Sequence, residues 1–468
     1  MNSLSKYLAI VFFSLVLISC YKDHSTLDTR ALSEIQVSFN GISSPVVNID
    51  KNETLTIDPA ISQTEEDLPL TYEWQVGYEV FSTEKELVYT GTKLGSFPVR
   101  LKVSNSDGST FKSFTLNVNS PYEEGLLVLG EDEDGEGTLA FMRKYSDEEK
   151  AAGKVESFAN NCFAVNNPGL TLGRGITDVA KRAAQLFISS ADEGKISLIN
   201  TKTFELESVI TAPEFPDFKP YRINIPDNTA TSAVVLCEEG KLYTLATKEH
   251  LVLQNTALPA GADLAMKTFF VATINFTSNY FWDKANSRIW NLWYTNSNSK
   301  ETLTGQELIQ FFPISTACYT LTRDKNNPAL LTKTVFGPYI QVFFDDPVEI
   351  LEQETFTHAA PTLTENSITV VNEKYNKLIY ANDREIYQWY YSGLSLPSTP
   401  FITVSLPGTI TSMNLSDDGN ELYVGVYNPA ASGLKGSVLI YNADNGTLIN
   451  KYEGVTDKPV KLFYKKKD

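Results

Sequence analysis

Histidine is nearly absent from this 468-residue chain: there are three, His24, His250 and His358, beside four cysteines and four methionines. That scarcity excludes most histidine-based metal sites and catalytic triads. His250 precedes the apolar Leu251-Val252-Leu253, and His358 sits bare in Phe356-Thr357-His358-Ala359. Neither has a neighbour that would mark it as a general base. The patterns HExxH, GxSxG, GxxxxGKS/T and GxGxxG are also missing, which removes zincins, nucleophile elbows, P-loops and dinucleotide fingerprints. No CxxC pair exists, so zinc ribbons and dithiol redox motifs are excluded as well. Cys162, Cys237 and Cys318 are widely spaced; Cys237 closes the apolar run Ala233–Leu236 and reads as a buried thiol. An oxidising compartment permits one disulfide among the three, and nothing in the sequence selects it. Basic residues are short too: 39 Lys and Arg stand against 57 Asp and Glu, a formal charge of −18. Binding to nucleic acid through phosphates needs the opposite balance.

Long apolar runs are the next absence. Tyr7 to Ile18, broken only by Ser14, spans twelve residues. As a helix it rises about 18 Å, short of the roughly 30 Å hydrocarbon core of a bilayer. With Lys6 ahead of it, the run reads as the h-region of a secretory signal. It ends in Leu17-Ile18-Ser19-Cys20, which resembles the lipobox of bacterial lipoproteins. The resemblance implies cleavage after residue 19, a diacylglyceryl thioether on Cys20 and acylation of the new amino group. Several acyl chains, at about 0.8 kcal/mol per buried methylene, anchor a protein durably. Residues 1–19 are then a lipoprotein signal peptide and 20–32 a polar, lipidated tether. Cleavage removes a single charged residue, Lys6, so an anionic membrane surface repels the mature chain and the lipid must do the anchoring.

The remainder reads as β-structure in two parts. Residues 33–120 contain seven short alternating runs: IQVSF, PVVNI, TLTIDP, LTYEWQV, ELVYT, FPVRLKVSN and FKSFTLNVN. That density of strands suggests a small sandwich with Trp74 in its core. Phe97, Val99, Leu101 and Val103 share one face, Arg100 and Lys102 the other, and Asn105-Ser106-Asp107-Gly108 supplies the hairpin turn. LTIDPAI, LTYEW and LGSFPVRLKVSNSDG, followed by PYEEGLLVLG, resemble the polycystic-kidney-disease-type Ig-like domain of the PKD-like surface lipoproteins of Bacteroidota. Phe97 stands where such domains often carry Tyr.

Residues 121–468 contain a weak repeat. GKISLINTKTFELESV, GKLYTLATKEHLVLQ, NKLIYANDREIYQWYY and GSVLIYNADNGTLINKY each read as strand, turn, strand, and several follow a further strand. A four-stranded unit of about 40–50 residues is the propeller period, and the stretch accommodates about seven blades. The fold class expected is therefore all-β, an N-terminal Ig-like sandwich followed by a β-propeller; a second pair of sandwiches is the alternative. Lys458 to Tyr464 is placed to pair near Leu126–Leu129 and close the ring. Thr304…Glu307 and Ser146…Glu149 have capping-box spacing, predicting short helical inserts at 302–310 and 144–152.

Two features point to binding. Trp282, Trp290 and Trp293 lie within twelve residues, with Tyr294 adjacent and Trp389-Tyr390-Tyr391 as a second cluster. Aromatic planes of this kind stack on sugar rings, or they fill the core between blades. Trp290 and Leu292 share a face that suits a core strand, so Trp282 and Trp293 are the pair expected to be exposed, with Tyr294 and Trp389 as further ligand-binding candidates. The acidic run Glu131 to Gly137 is a solvated turn or, alternatively, a calcium site through Asp132 and Asp134, since hard cations prefer oxygen ligands. No other cofactor is indicated. Carboxylate pairs of glycosidase type are possible among 57 acidic residues, but the sequence singles out none.

The resemblance implies a non-catalytic, lipid-anchored outer-membrane or cell-surface protein associated with glycan or peptide uptake. Its partners would be the membrane, a polysaccharide or peptide ligand, and an outer-membrane uptake complex. The alternatives are a surface propeller glycosidase or lyase and a structural adhesion or envelope lipoprotein.

Overall fold

The computed structural model describes residues 31–42, 44–257, 261–272, 277–293, 296–300, 303–315, 317–337, 350–358, 360 and 362–467. Residues 1–30, which hold the expected signal peptide, Cys20 and most of the expected tether, lie outside the described residues, as do the side chain of Trp293 and all of Tyr294. No helix among the described residues is long and apolar enough to cross a membrane. The chain divides into two units, one ending at Asn119 and the other running Ser120–Asp468.

The first unit is built from a five-stranded sheet in the order Val46–Asp50, Ser109–Asn119, Gly95–Ser104, Thr71–Val76, Glu79–Ser82. Two short strand pairs complete it: Ile35–Phe39 with Pro59–Gln63, and Thr54–Ile57 with Leu87–Thr90. Val99, Leu101 and Val103 are fully buried while Arg100 is exposed, as strand alternation requires. Trp74 is buried against Phe39, ring centroids 5.6 Å apart, and its indole N–H donates to the Lys85 carbonyl at 3.1 Å. Asn105 Oδ1 accepts the amides of Asp107 and Gly108 at 2.9 and 3.0 Å, which fixes the hairpin turn.

The described residues of the second unit form a ring of seven four-stranded antiparallel sheets. Blade 1 runs, from the axis outward, Lys458–Lys465, Gly125–Glu131, Gly137–Arg143 and Phe158–Ala159. The other six take their strands consecutively, and their innermost strands are Ile176–Arg182, Pro220–Asn224, Leu264–Ala272, Gln306–Ile314, Ile368–Asn372 and Thr409–Leu415 for blades 2 to 7. The C-terminal strand pairs with Gly125–Glu131, placing Leu127 opposite Phe463 and Leu126 opposite Tyr464, and so closes the ring as the sequence suggests. Three of the four repeats are third and fourth strands, in blades 2, 3 and 7; the repeat at 376–391 forms the second and third strands of blade 6.

Every blade is buried on both faces. Leu127 and Leu129 pack toward blade 2, whereas Leu126 and Val128 pack toward blade 7. The same division recurs at each junction, which is why strands such as Leu126–Leu129 are continuously apolar rather than alternating. The three cysteines of this unit are unpaired thiols in these cores. Burial pushes the thiols of Cys162 and Cys237 up to about 11 and about 12.

One of the two helical expectations fails. Asp147–Ala151 is a helix, with a full capping box between Ser146 and Glu149. The described part of 302–310 is not helical: Leu303–Gly305 is a turn, and Gln306–Ile314 is the inner strand of blade 5. A β-bulge between Leu308 and Gln310 sends Leu308 and Phe311 to one side and Ile309 and Phe312 to the other. That produces an i, i+3 apolar spacing in a strand, and Glu307 pairs with Arg323 at 2.7 Å instead of capping a helix.

Candidate functional site

A central cavity of about 1150 Å³ is lined by residues from the innermost strands of all seven blades. In six of them the pairing of this strand with the next is interrupted by a bulge. An extra residue in one strand locally increases its twist and re-aims the side chains beside it. Immediately past the bulge stand Asp178 in blade 2, Arg222 in blade 3, Gln310 in blade 5 and Ser412 in blade 7. Lys267 lies within the bulge of blade 4, and Lys461 flanks that of blade 1. Blade 6, whose innermost pair is regular, contributes Thr369. Every blade therefore contributes at least one polar side chain to the cavity lining.

These groups are connected around the axis. Lys461 Nζ reaches Asp178 Oδ1 at 2.7 Å, and Asp178 Oδ2 accepts the Ile223 amide at 3.0 Å. Burial opposes ionisation of Asp178, but the charges of Lys461 and Arg222 and these hydrogen bonds outweigh it and hold its pKa below the usual carboxylate value. Arg222 donates through Nη1 to the carbonyls of Thr177 and Tyr221 at 3.0 and 3.3 Å, with its guanidinium 4.6 Å from the Tyr221 ring centroid. Lys267 donates to Gln310 Oε1 and to Thr369 Oγ1, the latter at 3.0 Å. Gln310 is fixed in turn by its Nε2, which donates to the carbonyls of Thr364, Glu365 and Ser367. Burial, and then the like charge of Arg222, lower Lys267 to about 7; Glu365 opposes this only in part. Glu131, at one side of the cavity, is paired with Lys458 at 2.8 Å.

The aromatic candidates are not in this cavity. Trp282 is 1% exposed in the core between blades 4 and 5, and Trp389 is 2% exposed between blades 5 and 6. The expectation that Trp282 and Trp389 present stacking surfaces is thus corrected: in a propeller the face opposite Trp290 is also an interior face. Trp290 and Leu292 are buried toward blade 3, as their shared face suggests. The Trp293 side chain and Tyr294 lie outside the described residues.

The acidic run forms a turn between two strands of blade 1. Asp132 Oδ1 accepts the amides of Asp134 and Glu136 at 2.9 and 2.8 Å, and Glu133 pairs with Lys435 at 2.6 Å. Among the described residues no group of three Asp, Glu, His or Cys side chains is assembled to hold a metal. The calcium alternative for Asp132 and Asp134 therefore has no ligand set among the described residues, and Asp132 Oδ1 is committed to backbone amides.

The cavity residues escape a motif search, since each is a single polar residue in a different segment. Their shared feature is their place in the strand: Asp178, Arg222 and Gln310 each stand directly past a bulge of an inner strand, and Lys267 lies within one.

No protein-family model matches the chain, and no curated protein matches it. Among solved structures, a quinonprotein alcohol dehydrogenase-like protein of Bacteroides thetaiotaomicron is 14% identical, aligned over 93% of this chain and 100% of that one with a TM-score of 0.46. The periplasmic gluconolactonase of Pseudomonas aeruginosa is 12% identical, over 73% and 98% of the two chains, with a TM-score of 0.47. The propeller assignment rests on the strand order and ring closure described above.

Proposed function

We propose that this chain is a lipid-anchored surface binding protein, held by Cys20 in the outer membrane, with a PKD-type Ig-like region at 33–120 and a ligand-binding propeller at 121–468. The observation that carries the binding reading is the axial cavity, into which each inner strand contributes a polar side chain. Its two inner carboxylates, Asp178 and Glu131, are engaged in ion pairs rather than facing each other across a gap. Glycoside hydrolysis needs two carboxylates free for acid–base or nucleophilic work about 5–9.5 Å apart, so these observations favour binding over catalysis. The lipobox resemblance supports the anchor, and the PKD-like resemblance supports a role beside glycan or peptide uptake.

Replacing Cys20 with Ser is expected to release the protein into the soluble fraction; continued detergent-dependent partitioning would overturn the lipid anchor. A glycan-array and peptide screen of the chain, with product analysis, is expected to give retention without cleavage. Release of shortened saccharides would favour the glycosidase or lyase reading.

A further inference from the structure

The cavity carries a charge opposite to that of the molecule. Among the described residues, five basic ones line it, Lys181, Arg222, Lys267, Lys458 and Lys461, against Glu131, Asp178 and Glu365, in a chain whose net charge is −18. Lys461 and Lys458 are neutralised by Asp178 and Glu131. Lys181 has a partner of its own, and Glu365 is exposed at the rim. Arg222 and Lys267 remain, on adjacent inner strands, and among the described residues neither forms an ion pair.

Both side chains are held in place by neutral groups. Arg222 uses Nη1 on backbone carbonyls and rests against Tyr221, while among the described residues Nε and Nη2 have no hydrogen-bond partner. Lys267 spends two donors on Gln310 and Thr369, and an ammonium has three. Two neighbouring cations in a partly enclosed, low-dielectric space repel each other, and that arrangement is relieved when an anion sits between them. A carboxylate matches it: a planar pair of oxygens meets the guanidinium fork, and the ammonium reaches the same group.

We infer that the axial cavity binds an organic carboxylate, seated between Arg222 and Lys267; this rests on the binding reading above and specifies the ligand's charge. The cavity, at about 1150 Å³, has room for more than the carboxylate alone. A sugar acid and a short peptide's C-terminus both supply the group. Lys267 supports the same conclusion, because a base held at about 7 by burial and by Arg222, against the partial opposition of Glu365 and with Gln310 and Thr369 as neutral neighbours, gains a proton when an anion arrives. Asp178, which also feels the charge of Arg222, stays paired with Lys461.

The test is titration calorimetry of the purified full chain with glucuronate, trialanine and glucose. Glucuronate or trialanine is expected to bind, with glucose at least tenfold weaker, and the positive arm identifies the source of the carboxylate. Affinity should rise from pH 8.5 to pH 6 as Lys267 becomes charged. Lys267→Met should cost about tenfold or more and abolish that pH dependence, since a hydrogen bond to a charged group is lost. Arg222→Gln should weaken binding similarly, with melting curves checking that each variant folds. Equal affinity for glucose and glucuronate, or Lys267→Met binding like the wild type, would overturn the carboxylate inference and leave the binding reading standing. Absence of any ligand in this titration and in the wider screen would overturn both.

Discussion

Trp282 occupies the core between blades 4 and 5, among Tyr280, Phe311 and Phe336. Truncating a fully buried tryptophan removes its transfer energy and leaves a cavity that neighbouring side chains only partly fill. Trp282→Ala is therefore expected to destabilise the propeller by about 3–5 kcal/mol in denaturant titration; an unchanged midpoint would show an exposed ring. Asp178 gives a residue-scale prediction with a defined pH window. Its pKa lies below the usual 3.8 in the folded state. The ionised form thus stabilises the fold above the ordinary value, and that contribution is lost as pH falls through the lower, folded one. Compared with Asp178→Asn, the wild type should hold its melting-temperature advantage at neutral pH and lose it below about pH 4. A constant difference down to strongly acid pH would show that the carboxylate is not ionised in the fold.

At the scale of the element, the strand Lys458–Lys465 determines whether the ring closes. It pairs with Gly125–Glu131 and buries Leu462 in the core between blades 7 and 1. Without it, blade 1 loses its innermost strand and both neighbouring blades face water. Deleting residues 458–468 is expected to abolish the cooperative melt of the propeller and to raise its hydrodynamic radius; a sharp transition with an unchanged radius would show closure by other means. The capping boxes illustrate why elements are only partly legible. The spacing at Ser146 and at Thr304 is the same, yet only the first caps a helix. Downstream of Thr304, a bulge gives strand residues a helix-like spacing, and pairing with Ala317–Asp324 overrides the local signal.

For the whole molecule, strand runs such as Leu126–Leu129 and the turns between them indicated an all-β repeat unit, because β-branched and aromatic runs separated by Gly, Asn and Asp are local properties. The paired C-terminal strand was legible for the same reason: an unpartnered apolar strand at the end of a repeat array needs a partner, and the first blade lacked one. The orientation of Trp282 was not legible, since alternation describes two faces without saying whether both are covered. The cavity was not legible either. Asp178, Arg222, Lys267 and Lys461 are separated by up to 283 residues, as in the Lys461–Asp178 pair. The sequence alone determined the strand content, the acidic surface and the lipobox-like Cys20. Only closure of the ring decided that each blade has two interior faces, and that isolated polar residues displaced by bulges converge on one axis where, among the described residues, Arg222 and Lys267 form no direct ion pair. Burial and charge pairing depend on which segments become neighbours, and distant strands become neighbours only when the ring is formed.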